Sequence, residues 1–365
     1  MLIKTNKTDL LKGLQNITGV ITTKNTLPIL SHILIQTKQN TLELIATDLD
    51  IGIITTINSE VVEEGAITIP AKRFVDIIKE LPESTITITT KKNNTINIEC
   101  EKAFFKIIGL PKEEFPKLPK TTEKNKIQIP QNTLKEMLTM TFFAVSHDQT
   151  RHVLNGVLFI LQEQGIKFVA TDGRRLVVTQ NTQTLPKNTN TKAIVPTKTI
   201  QEINKILTPE TGDVFMFFDA NQAMFVLNNT TIISRLIEGE FPNYEQAIPT
   251  QKKDVLVVKK EPFLFAVKRA ALLTTPDSQS IKIDVFKNKI VVSKHAPNIG
   301  ETKEELGCEY TGAEFFIGFN PTYLLEGLKN VKQENLSIEF SGQEKPAVVR
   351  DGEDFLYVVL PMQIT

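Results

Sequence analysis

Asn155–Gln180, NGVLFILQEQGIKFVATDGRRLVVTQ, is the stretch whose reading decides the fold. It strings three strand-type runs across two turns. Val157–Leu161 is continuously apolar, Lys167–Ala170 is short and apolar, and Leu176–Gln180 is rich in β-branched residues. Between the second and third runs stands Asp172-Gly173, a dipeptide suited to the positive φ angles of a tight hairpin. That turn predicts that Arg174 and Arg175 emerge together at the tip of a sheet as two exposed cations.

Parts of this stretch recur. Leu42–Asp48, LELIATD, matches Ile166–Asp172, IKFVATD, and a second marker keeps a spacing of about 125 residues. Ile67–Pro70, ITIP, precedes a helical pattern, as do Ala193–Pro196, AIVP, and Ile317–Pro321, IGFNP. The chain therefore divides into three similar units, each read as helix, strands ending near proline, second helix and further strands. The predicted helices are Asp9–Val20, Lys72–Leu81, Gln131–Ser146, Thr197–Thr208, Lys259–Leu273 and Asn320–Lys332. Asn6 or Thr8 caps the first, whose Leu10, Leu11, Leu14 and Ile17 recur at helical spacing. The polar, proline-bearing segments Lys117–Lys126 and Ala247–Asp254 read as linkers. The expectation is an α+β chain of three repeated domains, 1–120, 126–247 and 252–365, each with two helices packed on antiparallel sheets.

A chain of 365 residues exceeds one ordinary core and suits several domains. No apolar run approaches the roughly 18 residues of a membrane helix, and the first ten residues, MLIKTNKTDL, lack the apolar core of a secretion signal. The expected location is the cytoplasm. Two cysteines far apart in sequence, Cys100 and Cys308, suit reduced thiols better than a disulfide framework. The 42 basic and 42 acidic residues cancel, so a polyanionic partner must be met by locally sorted charge. Such sorting is present, because the predicted helices together are net positive and the remainder is net negative.

Material for catalysis is sparse. Of the four histidines, only His147 and His152, with Asp148 beside the first, lie close in sequence, and no further ligand motif accompanies them. Asp48 and Asp50 fit a turn after a strand better than a divalent-ion pair. Neither GxxxxGK nor GxGxxG opens a helix after a strand. No catalytic activity, metal or cofactor is expected.

Seven short motifs then fall in one order: LPIL at 27–30, ATDLD at 46–50, LNG at 154–156, ATDGRRL at 170–176, FPNY at 241–244, IGFNPTYLL at 317–325 and YVVLPM at 357–362. Together, over the whole chain, they resemble the bacterial DNA polymerase III beta subunit, the sliding clamp. The resemblance implies half of a closed ring with helices inside and sheets outside. It implies a non-catalytic processivity factor that encircles duplex DNA as a homodimer and tethers the polymerase III catalytic subunit, the clamp loader and repair proteins through a short clamp-binding peptide. Helix spacing agrees with two chains. Six helices about 9 Å apart span about 17 Å between axes, and removing a helix thickness of about 10 Å leaves no room for a duplex, whereas twelve leave roughly 24 Å.

By the same resemblance, Lys24, Arg73, Lys79, Gln149, Arg151 and His152 meet DNA. Lys198 stands beside Thr197, which occupies a frequently basic position. The peptide pocket is implied to use Leu154, Thr171, Gly173, Arg174, Arg175, Leu176, Pro242, Asn320, Tyr323, Val358, Leu360, Pro361 and Met362. Arg174 stands in for a histidine there, and Ala247 is smaller than the usual aliphatic residue. Ring closure is implied where the strand Glu101–Ile108 adds to one near Glu301–Cys308. Lys102 and Lys106 then face Glu301, Glu304 or Glu305, and Phe105, Ile107, Leu272 and Leu273 form the apolar part.

Overall fold

The computed structural model describes the whole chain except residues 22–26, 92, 120–124, 209–211, 251–253, 298 and 365. Each third follows one plan: strand, helix, four strands, helix, three strands. The first third adds one short strand to that plan.

The first third contains β1 (Leu2–Asn6), α1 (Lys7–Ile17), β2 (His32–Lys38), β3 (Thr41–Thr47), β4 (Ile51–Asn58), the added β5 (Glu60–Glu63), β6 (Ala66–Pro70), α2 (Ala71–Glu80), β7 (Thr85–Thr90), β8 (Thr95–Cys100) and β9 (Ala103–Ile108). The second contains β10 (Ile127–Pro130), α3 (Gln131–Thr139), β11 (Gly156–Gln162), β12 (Gly165–Thr171), β13 (Arg175–Asn181), β14 (Asn190–Pro196), α4 (Thr197–Ile206), β15 (Asp213–Phe218), β16 (Gln222–Leu227) and β17 (Thr230–Arg235). The third contains β18 (Asp254–Lys259), α5 (Lys260–Ala271), β19 (Ile281–Phe286), β20 (Lys289–Ala296), β21 (Gly300–Glu309), β22 (Phe315–Phe319), α6 (Pro321–Leu328), β23 (Asn335–Phe340), β24 (Ala347–Asp351) and β25 (Phe355–Val359).

Helix ends follow local chemistry. The Asn6 side chain accepts from the Asp9 amide and caps α1, and Asn320 does the same for Thr322 at α6, with Pro321 in the first turn where no amide is needed. All six helices end before their predicted bounds, two of them by four residues or more. The Thr141 hydroxyl donates to the Met137 carbonyl at 2.6 Å, so α3 stops at Thr139 and only a 3₁₀ turn, Phe142–Ala144, follows. The last helix ends at Leu328 rather than Lys332. The face of α1 carrying Leu10, Leu14 and Ile17 is buried, and Gly13 permits its close approach to the sheet. A Cβ there would stand 2.8 Å from both Ile57 and Leu44.

The compact bodies do not coincide with the sequence thirds. One contains Met1–Lys135 with Lys198–Ile237, and the other contains Glu136–Thr197 with Glu238–Thr365. The reason is strand pairing. In the first body an eight-stranded antiparallel sheet runs β10-β15-β16-β17-β4-β3-β2-β6, because β17 of the second third pairs with β4 of the first. In the second body the order β18-β23-β24-β25-β13-β12-β11-β14 repeats it, because β25 pairs with β13. These two sheets are the same sheet built twice. The remaining strands form half of a third copy on each side: β5-β1-β7-β8-β9 in the first body and β21-β20-β19-β22 in the second.

Candidate functional site

The hairpin β12–β13 folds around Asp172. Its Oδ1 accepts from the amides of Arg174 and Arg175 at 2.9 and 3.0 Å, while the Thr171 hydroxyl donates to the Arg175 carbonyl at 2.6 Å and accepts from the Gly173 amide at 3.1 Å. Gly173 alone takes a left-handed conformation, φ 85°. The same turn recurs between β3 and β4. Asp48 Oδ1 accepts from Asp50 and Ile51, Thr47 bonds Ile51 and Leu49, and Leu49 takes φ 83° without being glycine.

The expected pair of exposed arginines is half right. Arg174 is exposed, but Arg175 is buried at 8% exposure. Its guanidinium donates to Asp172 Oδ2 at 3.0 Å, Glu326 Oε2 at 2.5 Å and the Phe143 carbonyl at 2.7 Å, and it lies 4.5 Å from the centre of the Tyr323 ring. Burial alone would lower its pKa. The Glu326 hydrogen bond and the Tyr357, Asp172 and Glu326 charges reverse this, and the pKa is raised. Arg175 thus ties the hairpin to α6 and to the 3₁₀ turn at Phe143. Beside it, the Tyr357 hydroxyl donates to the Tyr323 carbonyl at 2.8 Å, and burial pushes its pKa up.

Above this network lies a cleft of about 210 Å³. Its walls include Leu154, Thr171, Gly173, Arg174, Arg175, Leu176, Pro242, Val358 and Leu360, nine of the thirteen residues expected there. Ala247 lines it too, as do Asn243 and Tyr244, which sequence reasoning passed over although they stand within FPNY. The other four lie outside the lining. Asn320 caps α6, Tyr323 stacks beneath Arg175, and Pro361 and Met362 continue the C-terminal segment. That segment is held at two points, by the Leu360 amide on the Arg174 carbonyl at 2.9 Å and the Met362 amide on the Gly318 carbonyl at 2.8 Å.

The expected DNA contacts fall on different elements of the two bodies. Lys24 lies outside the described residues. Arg73 and Lys79 are exposed on α2, and Gln149 and His152 are exposed around a 3₁₀ turn. Arg151 Nη1 donates to the Asp172 carbonyl at 2.9 Å, bracing the hairpin. Lys198 is not a free cation, because its ammonium pairs with Asp48.

At the expected ring-closing strands, β9 is an edge strand exposing Phe104, Phe105 and Ile108. Phe104 and Ile108 are more exposed than the predicted Phe105 and Ile107. Among the described residues, β21 pairs along its length with β20 but touches β18 only at Cys308 and Glu309. Leu272 is 81% exposed and Leu273 half-buried. The acidic side is already engaged within the chain. Glu304 is bound by Arg269 at 2.8 Å, Glu305 lies 3.4 Å from Lys289, and Glu301 lies 3.9 Å from His295. Lys102 and Lys106 are exposed.

Among the described residues no group of three or more His, Cys, Asp or Glu side chains is placed to hold a metal ion, and no helix is long and apolar enough to cross a membrane.

A thrice-repeated antiparallel fold with an open edge at β9 and an apolar cleft suits a protein that binds partners. Family models for the DNA polymerase III beta subunit match the N-terminal domain over residues 1–119, the central domain over 128–243 and the C-terminal domain over 245–363. A beta sliding clamp of Chlamydia pneumoniae is 32% identical over 351 residues, covering 96% of each chain. The DNA polymerase sliding clamp of Bacillus subtilis superposes with a TM-score of 0.96 at 28% identity, and that of Bartonella birtlesii bound to griselimycin with 0.95 at 29%, each covering all of both chains. The chain belongs to the DNA polymerase III beta subunit family, the bacterial sliding clamps, which are non-catalytic processivity factors acting as ring-shaped homodimers.

Proposed function

We propose that two copies of this chain close around duplex DNA and tether the replicative polymerase, the clamp loader and repair proteins by peptides seated in the cleft beside Arg175. The observation that carries this reading is the sheet built twice. In each complete copy the last strand of one third pairs with the fourth strand of the preceding third: β17 on β4, β25 on β13. The same rule puts β9 of one copy on β21 of another. Closing both such junctions needs two chains. The apolar residues Phe104, Phe105, Ile108 and Leu272 supply the adhesion, and exposed ion pairs add about 0 to 1 kcal/mol each.

The cleft suits a peptide with apolar anchors, since Leu154, Leu176, Val358 and Leu360 line it beside few polar groups. Lys24, Arg73, Lys79, Gln149, Arg151, His152 and Lys198 are proposed as sequence-independent DNA contacts. Arg151 and Lys198 would first exchange their internal partners for phosphate. The domains are assigned to 1–120, 126–247 and 252–365, and the working location is the cytoplasm. Loading onto nicked circular DNA with a clamp loader and ATP, followed by linearisation, tests the reading. A ring slides off the ends, while retention on linear DNA excludes topological binding.

A further inference from the structure

Because the same sheet and turn are built twice, the peptide cleft of the second body has a positional counterpart in the first. There β4 replaces β13 and β17 replaces β25. The paired residues Leu176 and Val358, both lining the cleft, correspond to the paired residues Gly52 and Ile233. The turn above each site carries matching Thr and Asp hydrogen bonds and one left-handed residue. The segment entering each site also matches, with Phe115-Pro116-Lys117-Leu118 aligned on Phe241-Pro242-Asn243-Tyr244.

The two sites differ in what fills them. In the first body Phe217, Met224 and Ile233 form a buried apolar cluster, and Leu118 packs against it. Leu118 reaches over Gly52, where an added Cβ would stand 2.5 Å from Leu118 Cδ2. In the second body the equivalent of Gly52 is Leu176, whose side chain forms cleft wall, and the equivalent of Leu118 is Tyr244, which lines the rim.

We infer that the first body contains a second peptide groove of the same construction, occupied in cis by Leu118. The chain is its own ligand there, and one external peptide binds per chain instead of two. This rests on the reading that the second body's cleft takes partner peptides.

The test titrates a fluorescein-labelled hexapeptide with adjacent Leu and Phe anchors against the full-length dimer. Wild type saturates at one peptide per chain. Leu118→Ala, which empties the groove, and Gly52→Ala, whose methyl displaces Leu118, both saturate at two. A photoreactive version of the peptide then crosslinks to the β16–β17 region only in the variants. Folded variants that still saturate at one overturn the inference, as does a wild type that already binds two. No binding by wild type would instead remove the underlying cleft reading. A third arm needs no variant. The peptide EEFPKLPK, supplied in trans, displaces the label from the second body's cleft, whereas the same peptide with Ala for Leu does not. Failure of EEFPKLPK to compete overturns the inference.

Discussion

At the scale of single residues, Arg175 and the two left-handed turn positions carry the most consequence. Arg175 satisfies two carboxylates and one carbonyl in a water-poor site, so removing it leaves those acceptors unpaired. Arg175→Ala is expected to cost about 3 kcal/mol of stability and to weaken peptide binding at least tenfold, measured by thermal melting and fluorescence anisotropy. Unchanged melting would show that the network contributes nothing. The turns make opposite predictions. Leu49 holds φ 83° with a side chain, so Leu49→Gly should stabilise by roughly 1 kcal/mol, whereas Gly173→Ala at φ 85° should destabilise by a similar amount. A Cβ at Gly173 would also stand 2.5 Å from Arg151 Nη1 and push that side chain off the hairpin. The Asp-Gly dipeptide disclosed the turn, but the burial of Arg175 was not legible locally. It depends on Glu326, which lies far along the chain.

At the scale of elements, helix starts were readable because asparagine caps and prolines are local signals. The early end of α3 was not, because it depends on Thr141 bonding backward to Met137 and sideways to Thr179 at 2.8 Å. Leu176 on β13 and Pro242 of FPNY both line the cleft, whereas Asn320 caps α6 and Tyr323 lies against the Arg175 guanidinium outside the lining. The edge strand β9 carries its own prediction. Phe104→Asp with Ile108→Asp should convert the dimer to monomer in light scattering at micromolar concentration while each chain stays folded. A persistent dimer would move the contact elsewhere.

The neighbouring strand β21 gives a pH test. The hydrogen bond from Arg269 holds Glu304 below the usual carboxylate range, against the opposing effect of burial. A depressed carboxyl contributes stability above its unfolded pKa of about 4.3 and loses it as pH falls through the folded value. The melting-temperature gap between wild type and Glu304→Gln should therefore be constant from neutral pH down to about 5 and close below about 4. A gap that widens in acid would contradict this sign.

At the scale of the whole molecule, the threefold repeat was legible as spacing, but the two compact bodies were not. Sequence similarity marks where a repeat begins, whereas strand pairing decides which repeats share a sheet, and here each complete sheet draws on two thirds. Because 42 basic and 42 acidic residues cancel, no net field of the chain holds DNA, and a grip must come from ring closure and locally placed cations. Charge reversal at Lys24 and Arg73 together should shorten the lifetime on nicked circles at low salt and flatten the dependence of that lifetime on ionic strength. An unaltered salt slope would place both side chains away from the duplex.

Leu118, lying across Gly52, also limits traffic. With one groove per chain held by the linker, a two-chain ring offers two berths rather than four. A polymerase and one other enzyme can ride together, and any third must wait for a vacancy. The order in which enzymes follow one another on the same ring would then depend on how quickly each departs.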